Sequence, residues 1–521
     1  MSDFIQKHRT IVTSCLSGFD RLVLRGTLRQ LCYVDGMLLY LSMAKVLLKD
    51  FKNHVESMSQ QLKNASLAVV TAANRPVHYL RSPKTDKASI AKKIMKEDKI
   101  ERGPICTLTC VEPCCSYRIF GNRQSMKLEL ESCVRQCLHL YHYFIHPIFG
   151  FMLARIQTWF PFSIQICLNG REWLGRQMDQ ENLGYQKKEN AFVILSDPNR
   201  AQELMHQQVR ANWQNLLEPI AHRLNPAHQQ MFGPFCTSYY WSVFQSEWAT
   251  DILFKSPQAL AQIYPQLIQH GMTTFLRPDV MRFLGKKVPS HGNVHRGFQG
   301  EVVSDMKDRP EGVRIKHRMG KNSIKLYDKH GSILRTECTL NNAQSFKTYR
   351  RPEGKPNSTP RWLPLRKGIA DIKRRAEISH KVTTRYLEAH AAIQTDQTLG
   401  QLSDPFCQPV MFKGYRVRGI NPFRKDDLDL ISVISDGAFC IQGLRNKDLR
   451  IRLFGDTKDQ DVNRRRSSLI TRKLRMLRAH GLIRKVPRSH RYMVTTKGRT
   501  ALVALLAARN ASSKKLTELA A

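Results

Sequence analysis

The period of apolar positions changes several times along the chain, and each change marks a new element. Residues 1–100 read as mostly helical. Positions 38–48 and 51–62 carry apolar residues at spacings of three and four. Ahead of them, the apolar run at 15–28 is interrupted by Asp20, Arg21 and Arg25, which predicts a short strand or a buried turn. From residue 104 the composition becomes strand-like. Residues 105–111, 138–145, 151–157 and 162–168 are separated by the turn signals Glu112-Pro113, His146-Pro147 and Asn169-Gly170. Residues 101–300 therefore read as an α+β body with a helical extension, helices being expected at 201–217 and 256–269. Pro257 suits a first helical turn, whereas Pro265 predicts a kink or an end. The aromatic patch Tyr239-Tyr240-Trp241 falls between these two helices.

Residues 301–350 return to strand pattern. Segments 312–318, 323–327 and 332–340 are joined by turn-like sequences and predict a three-stranded basic meander. Residues 351–410 read as a linker followed by a basic helical stretch at 366–385. In residues 411–521, helices are expected at 424–435, at 447–454 with Asn446 as cap, and at 467–480. The third has an apolar stripe of Leu469, Ile470, Leu474 and Leu477. Gly481 supplies a left-handed stop. Strands at 482–486 and 491–495 then flank the basic turn Pro487-Arg488-Ser489-His490, and Thr496 opens a last helix. The expected fold class is α+β and multidomain: an antiparallel-sheet core with helices, and a C-terminal winged helix.

Charge narrows the partner. The 521 residues hold 83 Lys and Arg against 43 Asp and Glu, a formal charge of +40, and 42% are hydrophobic, enough for sizeable cores. Such an excess favours a polyanion, because phosphate contacts release condensed counterions. Residues 411–521 alone carry 26 Lys and Arg against 9 Asp and Glu. The start of the chain lacks an apolar signal region, and no long apolar window follows. Thirteen irregularly spaced Cys fit a reducing compartment, so a cytoplasmic location and no membrane partner are expected. A phosphate-binding P-loop and a dinucleotide fingerprint are both missing, so no nucleotide cofactor is expected.

The segment from Leu474 to Gly498 resembles the helix–wing part of MarR-like winged-helix proteins. It carries a leucine, then Gly481-Leu482-Ile483, a basic hairpin, and Thr495-Thr496-Lys497-Gly498. The resemblance spans roughly ninety residues and implies that a third helix enters the major groove while a wing tracks the backbone. The corresponding cations here are Arg472, Lys473, Arg475 and Arg478 on the helix, with Arg484, Lys485, Arg488 and Arg491 on the hairpin. MarR-like regulators are small dimers, whereas this chain is far longer, which argues against a simple ligand-sensing repressor.

The meander concentrates His317, Lys325, Tyr327, Asp328, Lys329, Arg335 and Glu337. On adjacent strands Lys325, Tyr327, Arg335 and Glu337 would share a face. That face is either a phosphate site, with Asp328 and Glu337 holding a divalent ion such as Mg2+, or a set of cross-strand ion pairs. Tyr327-Asp328-Lys329 with Arg335-Thr336-Glu337 loosely resembles a pattern in plasmid and phage replication initiators, which implies Tyr327 as a nucleophile. The paired-histidine motif of such nickases is missing; His139, His142 and His146 lie far upstream. Asp20 and Glu112 are further candidate catalytic acids, Arg21 and Arg25 candidate phosphate contacts, and Trp159 a candidate base-stacking residue. Cys106 and Cys110 on one strand would stand about 13 Å apart, too far for one zinc, so buried hydrophobes account for them better.

Three functions remain in play: a mobile-element or replication-type DNA-binding protein that processes strands near Tyr327, Asp328 and Glu337; a structured-RNA-binding protein without catalysis; and a large transcription regulator. Each tolerates homo-oligomerisation.

Overall fold

A computed structural model describes residues 1–235, 237–286, 301–308, 313–355, 357–391, 399–435, 439, 443–457, 459–486 and 489–510. It shows an α+β chain of two compact units, both discontinuous in sequence. The first comprises Met1–Val12, Phe254–Leu334 and Val382–Ala521; the second comprises Thr13–Leu253 and Arg335–Lys381. Among the described residues no helix is long and apolar enough to cross a membrane.

The strands used below are β1 (Val12–Leu28), β2 (Val77–Leu80), β3 (Gly103–Asn122), β4 (Lys127–His146), β5 (Gly150–Gln157), β6 (Ile164–Asn169), β7 (Tyr185–Lys188), β8 (Ala191–Leu195), β9 (Tyr239–Phe254), β10 (Val302–Lys307), β11 (Arg314–Met319), β12 (Asn322–Lys329) and β13 (Ile333–Leu340). In the second unit the strand order is β13-β9-β1-β6-β5-β4-β3-β2. The neighbours from β1 through β6, β5 and β4 to β3 are antiparallel, but β2 joins β3 in parallel, so the sheet is mixed rather than purely antiparallel. Leu22, Leu24, Leu140, Ile156, Ile164 and Ile166 are buried along its centre.

Two elements depart from the sequence reading for one reason. The expected short strand at 15–28 is the 17-residue central strand β1, and the aromatic patch opens the 16-residue strand β9 inside a region read as helical. The last seven residues of β9 are all buried. A strand covered on both faces loses the alternation that marks a strand in sequence. The expected helix at 201–217 is two helices, Pro198–Arg210 and Trp213–Leu224. Pro265 does not end its helix, which runs from Pro257 to Thr273.

In the first unit β10, β11 and β12 form an antiparallel meander. The C-terminal part contains the helices Lys425–Ile434, Asn446–Phe454 and Gln460–Ala479, the hairpin Ile483–Lys485 with Tyr492–Val494, and the helix Thr496–Asn510. Leu430, Ile431, Leu449, Ile470, Leu474, Leu477, Leu482, Val494 and Leu502 share one apolar core. The third helix starts seven residues earlier than its apolar stripe predicts. Asp459 caps it, accepting hydrogen bonds from the N–H groups of Asp461 and Val462. It ends at Gly481, whose φ of +70° matches the expected left-handed stop. The last helix is capped by Thr495, one residue before the expected Thr496: its Oγ1 accepts from Gly498 N–H at 3.0 Å.

Candidate nucleic-acid interface and carboxylate cluster

The C-terminal third helix divides its residues by face. Ile470, Leu474, Met476 and Leu477 are buried, whereas Arg464, Arg465, Arg472 and Arg475 are exposed. Leu469, expected in the apolar stripe, is 44% exposed, and Met476 fills the core position instead. Two of the predicted cations also brace the module. Arg475 lies 4.6 Å over the Tyr415 ring and the half-buried Arg478 lies 5.6 Å over Phe412, so the strands Val410–Phe412 and Tyr415–Val417 steady their stems. Lys473 donates from Nζ to the Asp426 carbonyl at 3.1 Å. Arg484 and Lys485 are exposed on the hairpin, and Arg491 is half-buried. Arg488 lies outside the described residues.

The second site is buried in the second unit and is built on three neighbouring strands. Asp20 on β1 (6% exposed), Glu247 on β9 and Glu337 on β13 (4% exposed) each place a carboxylate oxygen within 4.8 Å of the others. Strand alternation sets Glu247 and Asp251, four apart on β9, on one face, and Arg335 and Glu337, two apart on β13, on one face. Arg335 is fully buried. It grips Asp251 through Nε to Oδ1 at 2.6 Å and Nη2 to Oδ2 at 2.8 Å, reaches Asp20 Oδ2 from Nη1 at 3.4 Å, and donates from Nη2 to the Asn190 carbonyl at 2.7 Å. Asn190, between β7 and β8, donates from Nδ2 to both Asp20 oxygens, at 2.9 and 2.8 Å.

Arg171 adds a second buried cation. Its Nη2 lies 3.0 Å from Asp251 Oδ2 and donates to the Ala249 carbonyl at 3.1 Å. It stands in the first turn of the helix Gly170–Gln180, capped by Asn169. A Cβ at Gly170 would sit 2.0 Å from the Phe19 carbonyl oxygen, so only glycine lets this helix approach β1 so closely. Burial raises the Asp20 pKa, Arg335 and Arg171 oppose that, and the nearby Glu337 and Asp251 reinforce it.

The remaining sequence candidates have other surroundings. Glu112 is an ion-paired structural anion, 3.2 Å from both Lys87 Nζ and Arg155 Nη1. Burial pushes its pKa up, but hydrogen bonds from Tyr141 and Lys87 and the Arg155 charge outweigh burial and hold it below the ordinary value. Asp328 closes a turn, its Oδ1 accepting from Gly331 N–H at 2.9 Å. It does not share a cluster with Glu337, whose carboxylate neighbours are Asp20 and Glu247. Lys325, Tyr327 and Lys329 are half-buried on β12 in the first unit, while Arg335 and Glu337 belong to the second.

His317 and Arg335, expected to contact nucleic acid, are fully buried and do not reach a surface. His317 bonds Ser304 Oγ at 2.6 Å and Tyr386 Oη at 3.0 Å, and burial lowers its pKa to about 3, so it is a neutral core group. His142 is likewise neutral, held between Ser66 and Thr107 with a pKa lowered by burial to about 4. Trp159 is half-buried, with the Arg135 guanidinium over one face of its ring at 5.1 Å. Arg21 is exposed and Arg25 half-buried on β1. Cys106 and Cys110 lie in an apolar core with Leu108, Tyr141 and Ile145. Glu247 and Asp251 escaped the sequence reading because their strand did.

The three carboxylates suit a hard divalent ion, which takes oxygen ligands at about 2.0–2.1 Å when it is Mg2+ and draws carboxylates together. Arg335 competes for Asp20 but spends its two shortest contacts to carboxylate on Asp251. No protein-family model, curated protein or solved structure matches this chain.

Proposed function

We propose that this chain is a mobile-element or replication-associated DNA-binding protein whose C-terminal helices and hairpin dock on the duplex as a winged helix. The helix Gln460–Ala479 carries this reading, with an apolar side in the core and Arg464, Arg465, Arg472 and Arg475 in solvent. A helix of this length runs about 30 Å and fits a major groove about 12 Å wide. Arg484 and Lys485 on the following hairpin meet the adjacent backbone.

The test compares the full chain with a double variant, Arg472→Ala with Arg475→Ala, on a short duplex over a salt series. Each lost phosphate contact lowers the salt slope by about 0.9, so a drop of about two and at least a tenfold loss of affinity at physiological salt are expected. Unchanged slope and affinity would remove the reading. Co-purifying nucleic acid that is destroyed by ribonuclease and resists deoxyribonuclease would put structured RNA in place of DNA.

Strand processing is a second reading, favoured by the meeting of Asp20 and Glu337, distant in sequence, with Glu247. Asp20, Glu247 and Glu337 would hold a divalent ion such as Mg2+. When bound, it supplies Lewis-acid stabilisation at a phosphoryl oxygen. Asn190 and Arg335 orient the Asp20 carboxylate, and Asp251 fixes Arg335. Glu247, the most exposed of the three acids, is the residue to change. Glu247→Gln is expected to lose Mn2+ binding, followed by electron paramagnetic resonance, and plasmid nicking, with duplex affinity intact. Equal Mn2+ binding by both proteins would exclude the cluster as a metal site.

A further inference from the structure

β3 and β4 run past their other neighbours. β2 bonds β3 only at 107–110, and β5 bonds β4 only at 139–146. Beyond them, residues 113–136 continue as a two-stranded ribbon with an unbroken register from Pro113↔Gln136 to Asn122↔Lys127. At its base, Cys114 stands opposite Arg135 and Cys137 opposite Glu112, so the two cysteines are diagonal neighbours on one face. Their sulfurs are 2.7 Å apart, with the Cys137 thiol donating to Cys114 Sγ. The side chains are 7% and 6% exposed, and both cysteines are free thiols.

We propose that Cys114 and Cys137 are a modification site: a reversible cross-strand disulfide that clips the ribbon at its base. The geometry demands little movement, since the sulfurs already touch. The chemistry is assigned by the same contacts. The hydrogen bond from Cys137, opposed by burial and aided by the Arg135 and Arg155 charges, lowers the Cys114 thiol pKa, which makes Cys114 the attacking sulfur. Burial excludes bulky oxidants and admits a small one, hydrogen peroxide.

The Cys114 thiolate attacks one peroxide oxygen, breaks the O–O bond and becomes a sulfenic acid, releasing hydroxide. Cys137 sulfur then attacks Cys114 Sγ and expels the sulfenic oxygen as hydroxide. The two protons from the two thiols convert both hydroxides to water, so two thiols are oxidised, one peroxide is reduced and two waters leave. The bond would close a loop between positions 23 apart in sequence. A reversible bond of this kind fits a reducing compartment, where disulfides are transient and regulatory.

Peptide mapping tests this on the full chain. Trypsin cuts after Arg118, Arg123, Lys127 and Arg135, which separates Cys114 from Cys137. After peroxide treatment and alkylation, the peptides carrying Cys114 and Cys137 are expected as one linked species lighter by two hydrogens, released by dithiothreitol. In Cys137→Ser, Cys114 is expected to stop at the sulfenic acid and be trapped by dimedone. Recovery of Cys114 and Cys137 both alkylated after peroxide would overturn the assignment, as would linkage confined to the neighbouring Cys115 and Cys133.

Discussion

Arg335 ties Asp251, Asp20 and the Asn190 carbonyl together from a fully buried position. In water such a guanidinium would be solvated; here its partners replace that solvation, and removing it strands two buried carboxylates. Breaking a buried pair from one side costs about 3–5 kcal/mol. Arg335→Ala is therefore expected to lower unfolding free energy by that amount, measured by denaturant titration, with Arg335→Lys intermediate because an ammonium lacks the planar fork. A loss below about 1 kcal/mol would mean that Arg171 alone neutralises the cluster. Asp20, inside an apolar run, and Glu337, on the polar face of the meander, are both candidate acids in the sequence, and their carboxylate oxygens lie within 4.8 Å of each other. Arg335 and His317 were misjudged, because a charged or polar residue looks the same in sequence whether its partner is phosphate or a buried side chain.

The C-terminal third helix shows what periodicity decides. Spacings of three and four located it, and Ile470, Leu474 and Leu477 do reach the core. Its start carries no apolar period, because residues 460–468 hold a single apolar residue, Val462; the Asp459 cap is the available signal. Leu469 and Leu474 provide a contrast. Leu474 is 3% exposed, so Leu474→Ala removes buried surface and leaves a cavity, a cost of about 2–5 kcal/mol. Leu469 is 44% exposed, so Leu469→Ala is expected to change stability by less than about 0.5 kcal/mol. Thermal unfolding of the two variants measures the difference; equal losses would place Leu469 in the core after all. Strand β9 is the opposite case. Its end is buried on both faces, so neither a helical nor an alternating period appears along it, and Glu247 and Asp251 carry no local signal of the cluster they join.

For the whole molecule, the charge of +40 is a property of composition, and its concentration toward the C-terminus is a property of order along the chain. Both were legible without coordinates. The discontinuous units were not: Thr13–Leu253 joins Arg335–Lys381 across the intervening sequence, a pairing that no local pattern encodes. By itself the sequence determined the excess of cations, the amphipathic C-terminal helices, the glycine that stops the third of them and the strand-rich body, because each depends on neighbours within a few residues. Only tertiary structure decided which acids gather around Arg335, which histidines stay neutral and which thiols touch. Those outcomes depend on strand pairing in a sheet and on burial, which bring together residues from 23 to 315 positions apart in the chain.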